Sequence, residues 1–254
     1  MKTDISCILA LHAEGLIAHK TIRAINRAVA HAEKAGLATE LVVVLDKATP
    51  ETRRYIENSR FVYPVPKLIS TDLGDLGLVR NVAIEHSSGG YIAVLDGDDL
   101  ISENWLTRAY EVNRLDSHLI VHPELCVYFD QKALLFYHPN QISEEFDAAN
   151  LIVENYWISL CFSRRETFLQ IPYVATPKSL GFGYEDWHWN CEVMARGFVH
   201  TIARGTAHFI RVKLSGSLNA YWATRKALVR HSTLFDTLAT QSWRKKTIGD
   251  HSSP

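Results

Sequence analysis

Three acidic residues stand close together in the segment Asp96-Gly97-Asp98-Asp99, directly after the apolar run Tyr91–Leu95. The run predicts a short buried strand, which Gly89-Gly90 precedes as a turn. Carboxylates this close repel one another unless a cation lies among them. Open α/β sheets bind ligands at the carboxyl ends of their strands, so we predict a divalent metal and a phosphorylated ligand here. A solvated acidic turn is the alternative.

A second cluster of functional groups lies in the segment Gly181–Trp187, where Glu185 and Asp186 begin a predicted helix that Gly197 closes. Negative charge at a helix start is favoured by the helix dipole, so capping alone accounts for the two carboxylates. It does not account for the aromatic residues around them, which are Phe182, Tyr184, Trp187 and Trp189. Aromatic faces beside carboxylates often hold sugars, and they also often form plain core, so both interpretations stay open.

His208 lies between Ala207 and Phe209 in a predicted late strand. A lone histidine in an apolar strand is usually a core residue with its hydrogen bonds satisfied. Imidazole is also an acceptable ligand for manganese-like metals. The residue becomes a candidate metal ligand because a carboxylate site is already expected.

The elements that must position these groups alternate along the first half of the chain. Apolar runs predict strands at 5–11, 41–45, 68–70 and 91–95, and helical patterns lie between them, one opening at Thr49-Pro50 and one covering Leu76–His86. Alternating strands and helices predict crossover units in an α/β fold, with a mostly parallel central sheet flanked by helices.

The second half changes character towards a small antiparallel element. Shorter strands are predicted at 119–122, 125–129, 133–137, 159–163 and 207–212, and the second and third of these form a hairpin. Helices are predicted from Arg164 and over Glu185–Arg196. The organisation we expect is one domain over residues 1–217 and a C-terminal helical appendage over 218–254.

Composition excludes several classes of protein. The 254 residues carry a net charge of −1, which argues against bulk binding to nucleic acid. Four widely spaced cysteines are typical of reduced, buried thiols, and no apolar run reaches the roughly 20 residues that span a bilayer. The amino end leads straight into a strand without a signal peptide, so we expect a cytoplasmic protein.

The appendage mixes basic and aromatic residues, as in Tyr221-Trp222 with Arg225-Lys226 and again in Trp243–Lys246. Such a segment can rest peripherally on the inner face of an anionic membrane. It can equally be a helix packed on the domain with a solvated basic face, and we keep both interpretations.

Together these segments resemble glycosyltransferase family 2, the inverting nucleotide-sugar transferases of GT-A fold, over roughly residues 4–217. The matching segments are Ile5–Glu14, Val42–Asp46, Leu78–Ala83 (similar to A-R-N-x-G/A), Tyr91–Asp99 (similar to Y-I-x-x-L-D-x-D-D) and Gly183–Trp187 with its E-D-W. Two turns depart from the family pattern. Asp46–Thr49 replaces the frequent D-D-G-S and Leu11–Glu14 replaces P-x-Y-N, so the nucleoside stays open.

The resemblance implies transfer of a sugar from a nucleoside diphosphate sugar to a hydroxyl of a glycan or lipid-linked glycan, dependent on Mn²⁺ or Mg²⁺. It implies Asp98 and His208 as metal ligands, Asp186 as the base that deprotonates the acceptor hydroxyl, and Glu185 as a group that holds the acceptor. The donor-binding residues that it implies are Leu11, Glu14, Asp46, Arg80, Asp96 and Gly97. Arg80 either approaches the phosphates or pairs with Asp96.

Three rival functions remain. A nucleotidyltransferase shares a similar sheet, but Leu11–Gly15 does not form the glycine-rich phosphate loop that such enzymes carry after the first strand. A non-catalytic nucleotide- or carbohydrate-binding module is disfavoured by the intact acidic pairs. A metal-dependent phosphohydrolase would consume sugar nucleotide without an acceptor.

Overall fold

The structure is a computed structural model that describes residues 2–61, 65–214 and 216–239. Its strands, in chain order, are β1 (Ile5–Leu11), β2 (Thr39–Asp46), β3 (Lys67–Thr71), β4 (Tyr91–Asp96), β5 (Leu100–Ile101), β6 (Leu119–Asp130), β7 (Leu134–Tyr137), β8 (Phe162–Arg164), β9 (Phe182–Gly183), β10 (Val199–Val212) and β11 (Leu228–Val229). Its α-helices are α1 (Ala18–Lys34), α2 (Pro50–Glu57), α3 (Leu76–Glu85), α4 (Trp105–Asn113), α5 (Arg165–Gln170), α6 (Glu185–Ala195) and α7 (Leu218–Thr224).

The main sheet has the order β3-β2-β1-β4-β8-β6-β10-β5, and β7 pairs with β6 at the side of this path. The first four strands of that order run parallel, while β8 joins β4 and β6 in antiparallel fashion. The predicted α/β fold with a mostly parallel sheet and a small antiparallel element is confirmed.

Both faces of the sheet are covered, which is why β1, β2 and β4 are nearly continuous apolar runs. Along β1, Ile5, Cys7 and Leu9 pack on one face against α1 and α4. Ile8 points to the other face, where it packs with residues of α3, α5 and α6. The four cysteines are buried and free, as the sequence predicted.

Local signals account for the helix starts. The Thr49 hydroxyl accepts a hydrogen bond from the Thr52 amide at 3.2 Å, with Pro50 at the first position of α2. The Asp75 carboxylate caps α3 in the same way, accepting from the Leu78 amide at 3.1 Å. The cap of α3 fixes the start of the helix that carries Arg80.

The second half differs from the prediction in the extent of its strands. The runs 119–122 and 125–129 form one strand, β6, that continues through Pro123. A register irregularity in β10 between Ala203 and Ala207 lies opposite this proline, which lacks an N–H for the ladder. The late strand is also longer than predicted, because β10 begins at Val199, and the predicted strand 159–163 is shifted to β8.

The C-terminal segment, as far as it is described, packs on the rest of the chain. Trp222 of α7 is 3% exposed and lies so close to Gly183 that a Cβ there would meet its ring at 2.6 Å. β11 pairs with β9, and Leu234 is buried in a cluster with Leu151 and Trp157. The basic stretch Trp243–Lys246 lies outside the described residues, and the predicted division at residue 217 stays a prediction.

Candidate active site

The carboxyl ends of three parallel strands bring the first acidic segment to one edge of the sheet. Leu11 of β1 pairs with Leu45 of β2, and Ala10 pairs with Asp96 of β4. Asp46, at the end of β2, therefore lies at the same edge as Asp96. This edge is where parallel α/β sheets bind their ligands.

The turn after β1 closes tightly on the acidic segment. A Cβ at Gly97 would meet the Leu11 side chain at 2.3 Å and Glu14 Cγ at 3.2 Å, so only glycine fits against this turn without displacement. The Glu14 carboxylate accepts a hydrogen bond from the His12 amide at 2.6 Å. The structure thus brings together the three predicted donor residues Leu11, Glu14 and Gly97.

Asp46 fixes the backbone beyond β3. Its carboxylate accepts hydrogen bonds from the Leu73 amide at 2.7 Å and the Gly74 amide at 2.8 Å, and a third from the Thr71 hydroxyl at 2.9 Å. The residue is 7% exposed. It therefore holds the 71–74 turn in place beside this edge of the sheet. Contact between Asp46 and the base of a nucleotide stays a prediction.

Arg80 joins the two acidic clusters. From α3, its guanidinium donates to Asp96 Oδ1 at 2.8 Å and to Glu185 Oε1 at 2.9 Å, and it is 2% exposed. Of the two roles suggested for Arg80, the structure forms the pairing with Asp96. Residues separated by 105 positions in the sequence are thereby held in one site.

The ion pairs set the charge of these groups. Burial alone would raise the pKa of Asp96, but Arg80 and a hydrogen bond from the Ser159 hydroxyl outweigh it and lower that pKa. Burial disfavours the charged guanidinium, yet Asp96 and Glu185 raise the pKa of Arg80 well above its usual value. Ser159 was not identified as a site residue from the sequence, because it belongs to no motif and was expected only to begin a strand.

Glu185 and Asp186 lie at the first turn of α6, following Tyr184, which adopts left-handed backbone angles of φ 59° and ψ 58°. Burial raises the pKa of Glu185, although Arg80 opposes the shift. Burial and then the neighbouring Glu185 carboxylate raise the pKa of Asp186 to about 7. A carboxyl group that titrates near neutral pH can accept a proton from a reacting hydroxyl.

The aromatic residues near this pair divide into two groups. Trp189 is 1% exposed and stacks on Phe168 at 4.7 Å, so it belongs to the core. Tyr184 and Trp187 meet edge to face at 5.8 Å beside Asp186. Of the aromatic residues that the sequence singled out, these two flank the carboxylate pair.

The strand pairing of β5 with β10 places His208 against the acidic segment. His208 lies opposite Ile101, and its Nε2 lies 2.9 Å from Asp99 Oδ2. The Arg211 amide donates to the other oxygen of Asp99 at 2.8 Å. The structure therefore pairs His208 with Asp99, whereas Asp98 Oδ2 lies 2.7 Å from Lys213 Nζ. Lys213 carried no sequence signal, since the partner lies 115 positions earlier.

The side chains of Asp98 and His208 are of the types that bind a divalent cation. Carboxylate and imidazole are both ligands for manganese-like metals. Nδ1 of His208 is buried and has no hydrogen-bond partner within the described residues, while Nε2 faces a carboxylate, which is the arrangement usual for a metal-bound histidine. Over the described ranges, no group of three or more His, Cys, Asp or Glu side chains is arranged to hold a metal.

A small cavity lies beneath the acidic segment. It has a volume of about 10 Å³ and is lined by Thr21, Asp96, Asp99 and His208 together with apolar residues. The Thr21 hydroxyl, like His208 Nδ1, is buried without a hydrogen-bond partner in the part of the chain that is described. A volume of this size holds about one water molecule.

The helices of the described residues include none that is both long and apolar enough to cross a membrane.

The chain is similar to known proteins in both sequence and fold. The family described as "Glycosyl transferase family 2" matches residues 6–169. Succinoglycan biosynthesis protein ExoM of Rhizobium meliloti (strain 1021) is 33% identical over 75 residues, which are 29% of this chain and 24% of ExoM.

Solved structures show the same fold. The crystal structure of S. aureus TarS superposes with a TM-score of 0.61 at 17% identity, covering 83% of this chain and 37% of that one. S. aureus TarS 1–349 in complex with UDP-GlcNAc superposes with a TM-score of 0.59 at 17% identity, covering 86% and 61%. The chain thus spans less than two thirds of the length of these relatives, and at this identity the likeness establishes the fold.

Proposed function

The chain belongs to glycosyl transferase family 2, and from this premise we propose that it is an inverting, divalent-metal-dependent enzyme. It would move a sugar from a nucleoside diphosphate sugar to a hydroxyl of a glycan or lipid-linked glycan. The observation that carries the proposal is the double ion pair of Arg80, at 2.8 Å to Asp96 and 2.9 Å to Glu185. It joins the strand end expected to bind the donor to the helix start expected to bind the acceptor.

The donor is assigned to the edge formed by β1, β2 and β4. Leu11, Glu14 and Gly97 form a close-packed wall there, and Asp46 holds the adjacent turn. TarS 1–349 has been solved in complex with UDP-GlcNAc and with UDP, which supports a donor of this class.

Members of this family generally use a divalent metal, and Asp98 and His208 are the residues that would hold it. Such an ion supplies Lewis-acid stabilisation of the charge that the departing diphosphate acquires. The orphaned Nδ1 of His208 supports this assignment.

The acceptor is assigned to the start of α6. Inversion needs one base that takes the proton of the acceptor hydroxyl while the oxygen attacks the anomeric carbon from the face opposite the diphosphate. Asp186 is that base in our proposal, because its pKa of about 7 leaves much of it ionised at neutral pH. Glu185 is held by Arg80, so in place of the acceptor contact that the resemblance implied we propose that it fixes the start of α6 and raises the pKa of Asp186.

A panel of nucleotide sugars tests the function. Each compound is added with manganese, and the melting temperature is measured, because a ligand that binds the folded state raises it. We expect stabilisation by at least one nucleoside diphosphate sugar, and release of nucleoside diphosphate that requires an acceptor glycan. Binding of a nucleotide sugar without release of nucleoside diphosphate, whichever acceptor is added, would favour the non-catalytic module. Release of nucleoside diphosphate without an acceptor would favour the phosphohydrolase.

A cytoplasmic location with peripheral membrane contact through the C-terminal segment stays a prediction. Trp222 and Leu234 are buried, so contact would fall to exposed residues of this segment such as Arg225, Lys226 and Leu228, or to the residues after 239. Co-sedimentation with anionic vesicles, measured for the full chain and for a chain ending at residue 239, shows whether the residues after 239 bind the membrane. Equal recovery of both chains with the vesicles would exclude the residues after 239 as the membrane contact.

A further inference from the structure

Asn155 contacts the carboxylate of Asp186, although no motif draws attention to it. Its side-chain amide Nδ2 lies 3.3 Å from Asp186 Oδ2. The Asn155 amide oxygen accepts a hydrogen bond from Asn190 Nδ2 at 3.1 Å, and Asn190 Nδ2 also donates to the Trp157 carbonyl at 2.8 Å. Three side chains and one carbonyl therefore form a continuous chain of hydrogen bonds that ends on Asp186.

The Trp157 carbonyl, at which this series of hydrogen bonds begins, fixes the direction of every bond in the series. A backbone carbonyl can only accept, so Asn190 must turn its NH₂ group towards Trp157. The second hydrogen of that NH₂ then points at Asn155, which must present its oxygen in return. The remaining NH₂ of Asn155 must face Asp186. Asp186 therefore receives a donor whose orientation the backbone of another segment determines.

Asn190 and Trp157, at which this series of hydrogen bonds begins, are held firmly by buried neighbours. Asn190 is 2% exposed on α6, and its backbone carbonyl lies 3.2 Å from Nε2 of the buried His200. Trp157 is fully buried, stacks on His200 at 3.9 Å and donates from Nε1 to the Pro139 carbonyl at 2.9 Å. Because these buried contacts already restrict the side chains, little conformational entropy is lost when Asn155 bonds to the neighbouring carboxylate.

We propose that Asn155 is a positioning residue for the proposed transfer reaction: it holds Asp186 Oδ2, so that Oδ1 is left to accept the proton of the acceptor hydroxyl. This inference rests on the proposed function for its catalytic meaning. A donor on one oxygen orients the carboxyl plane and favours the ionised form, which is the form that acts as a base.

Other charged and titratable groups also act on Asp186. They are Glu185 on the same helix, Arg80 from α3, Asp96 from β4, Tyr128 from β6, and Cys161, Tyr173 and Tyr184 from the neighbouring segments. The backbone amide of Trp187 also donates to Asp186. Because these groups are unchanged when Asn155 is replaced, any shift in the variant reports the amide itself.

The test is a titration of the Asp186 carboxyl carbon by NMR in the nucleotide-free protein, assigned with Asp186→Asn. Loss of a donor to a carboxylate disfavours ionisation, so Asn155→Ala should raise the midpoint by about one pH unit. Asn155→Asp keeps the shape of the side chain but presents an acceptor, and it should raise the midpoint further. Asn150→Ala is the matched control, since Asn150 on the same segment bonds the Tyr156 hydroxyl at 2.8 Å and should leave the midpoint unchanged.

Kinetics supply the second readout. In Asn155→Ala the rising limb of kcat against pH should move to higher pH by the same amount, and the plateau should stay about tenfold below the wild type because the carboxyl plane is no longer held. Binding of nucleoside diphosphate should be unchanged. Coincident titrations of the wild type and both Asn155 variants would overturn the inference. Absence of transfer by the wild type would instead overturn the proposed function and leave the titration decisive for Asn155.

Discussion

Replacement of Arg80 by methionine should destabilise the protein in a manner that depends on pH. The guanidinium is 2% exposed and forms ion pairs of 2.8 Å with Asp96 and 2.9 Å with Glu185. Methionine fills much of the same volume but leaves two carboxyl groups without their cation. Breaking a buried ion pair by removing one partner costs about 3–5 kcal/mol, and we expect this loss in the free energy of unfolding at pH 8.

The sign of the pH dependence follows from Asp96. In the wild type its folded pKa is lowered, so the ion pair contributes stability above the unfolded pKa and loses it only at strongly acid pH. Without Arg80, burial raises the folded pKa of Asp96 above the unfolded value, so the variant loses stability as the pH rises. One carboxyl that titrates in this way contributes up to about 1.4 kcal/mol per pH unit, so over the three units between pH 8 and pH 5 the deficit should shrink by at most about 4 kcal/mol.

Urea unfolding of the wild type and Arg80→Met at pH 5, 6.5 and 8 measures this difference, and an unchanged slope with denaturant is required for the comparison. Arg108→Met is the control. Its ion pair with Glu111 is exposed at 46% and 54%, so its loss should change stability by less than about 0.5 kcal/mol. A deficit below about 1 kcal/mol for Arg80→Met, or one that is constant with pH, would mean that the two ion pairs of Arg80 do not stabilise the fold in this way.

Three further predictions concern the reaction. Asp186→Asn should abolish transfer while calorimetry shows intact donor binding, and the wild-type rate should rise with a midpoint near pH 7, since Asp186 must be ionised; near-normal turnover would remove Asp186 from this role. Asp98→Ala should lose the part of donor binding that depends on manganese, which calorimetry with and without the metal measures. Lys213→Met should bind Mn²⁺ about tenfold more tightly in the absence of nucleotide, because the variant lacks the ammonium group that lies 2.7 Å from the Asp98 carboxylate and competes with the metal. Weaker or equal binding of Mn²⁺ by the variant would contradict this prediction.

The sequence predicted the parallel half of the fold because its signals are local. Continuous apolar runs and helix caps such as Thr49 depend on neighbours within a few residues. The extent of β6 escaped prediction because a proline within a strand ordinarily ends it. Here the irregular register of the partner strand after Ala203 accommodates Pro123.

The site, like the fold, could be predicted only in part. The acidic residues stand in recognisable segments, so Asp96, Asp98 and Asp186 were candidates from the sequence alone. Their partners were not, because a hydrogen bond such as that between Asn155 and Asp186 joins segments whose proximity only the fold creates. Likewise, the pairing of His208 with Asp99 follows from the register of β5 against β10, which no pattern in either segment encodes.

The left-handed backbone of Tyr184 has a consequence for engineering. A residue with a side chain costs about 1 kcal/mol or more in this region of φ and ψ, whereas glycine does not. Tyr184→Gly would therefore relieve the backbone of this strain but remove the ring that meets Trp187 beside Asp186. Replacement by glycine at this position would therefore lower the strain of the backbone and, at the same time, change the aromatic surface next to the proposed base.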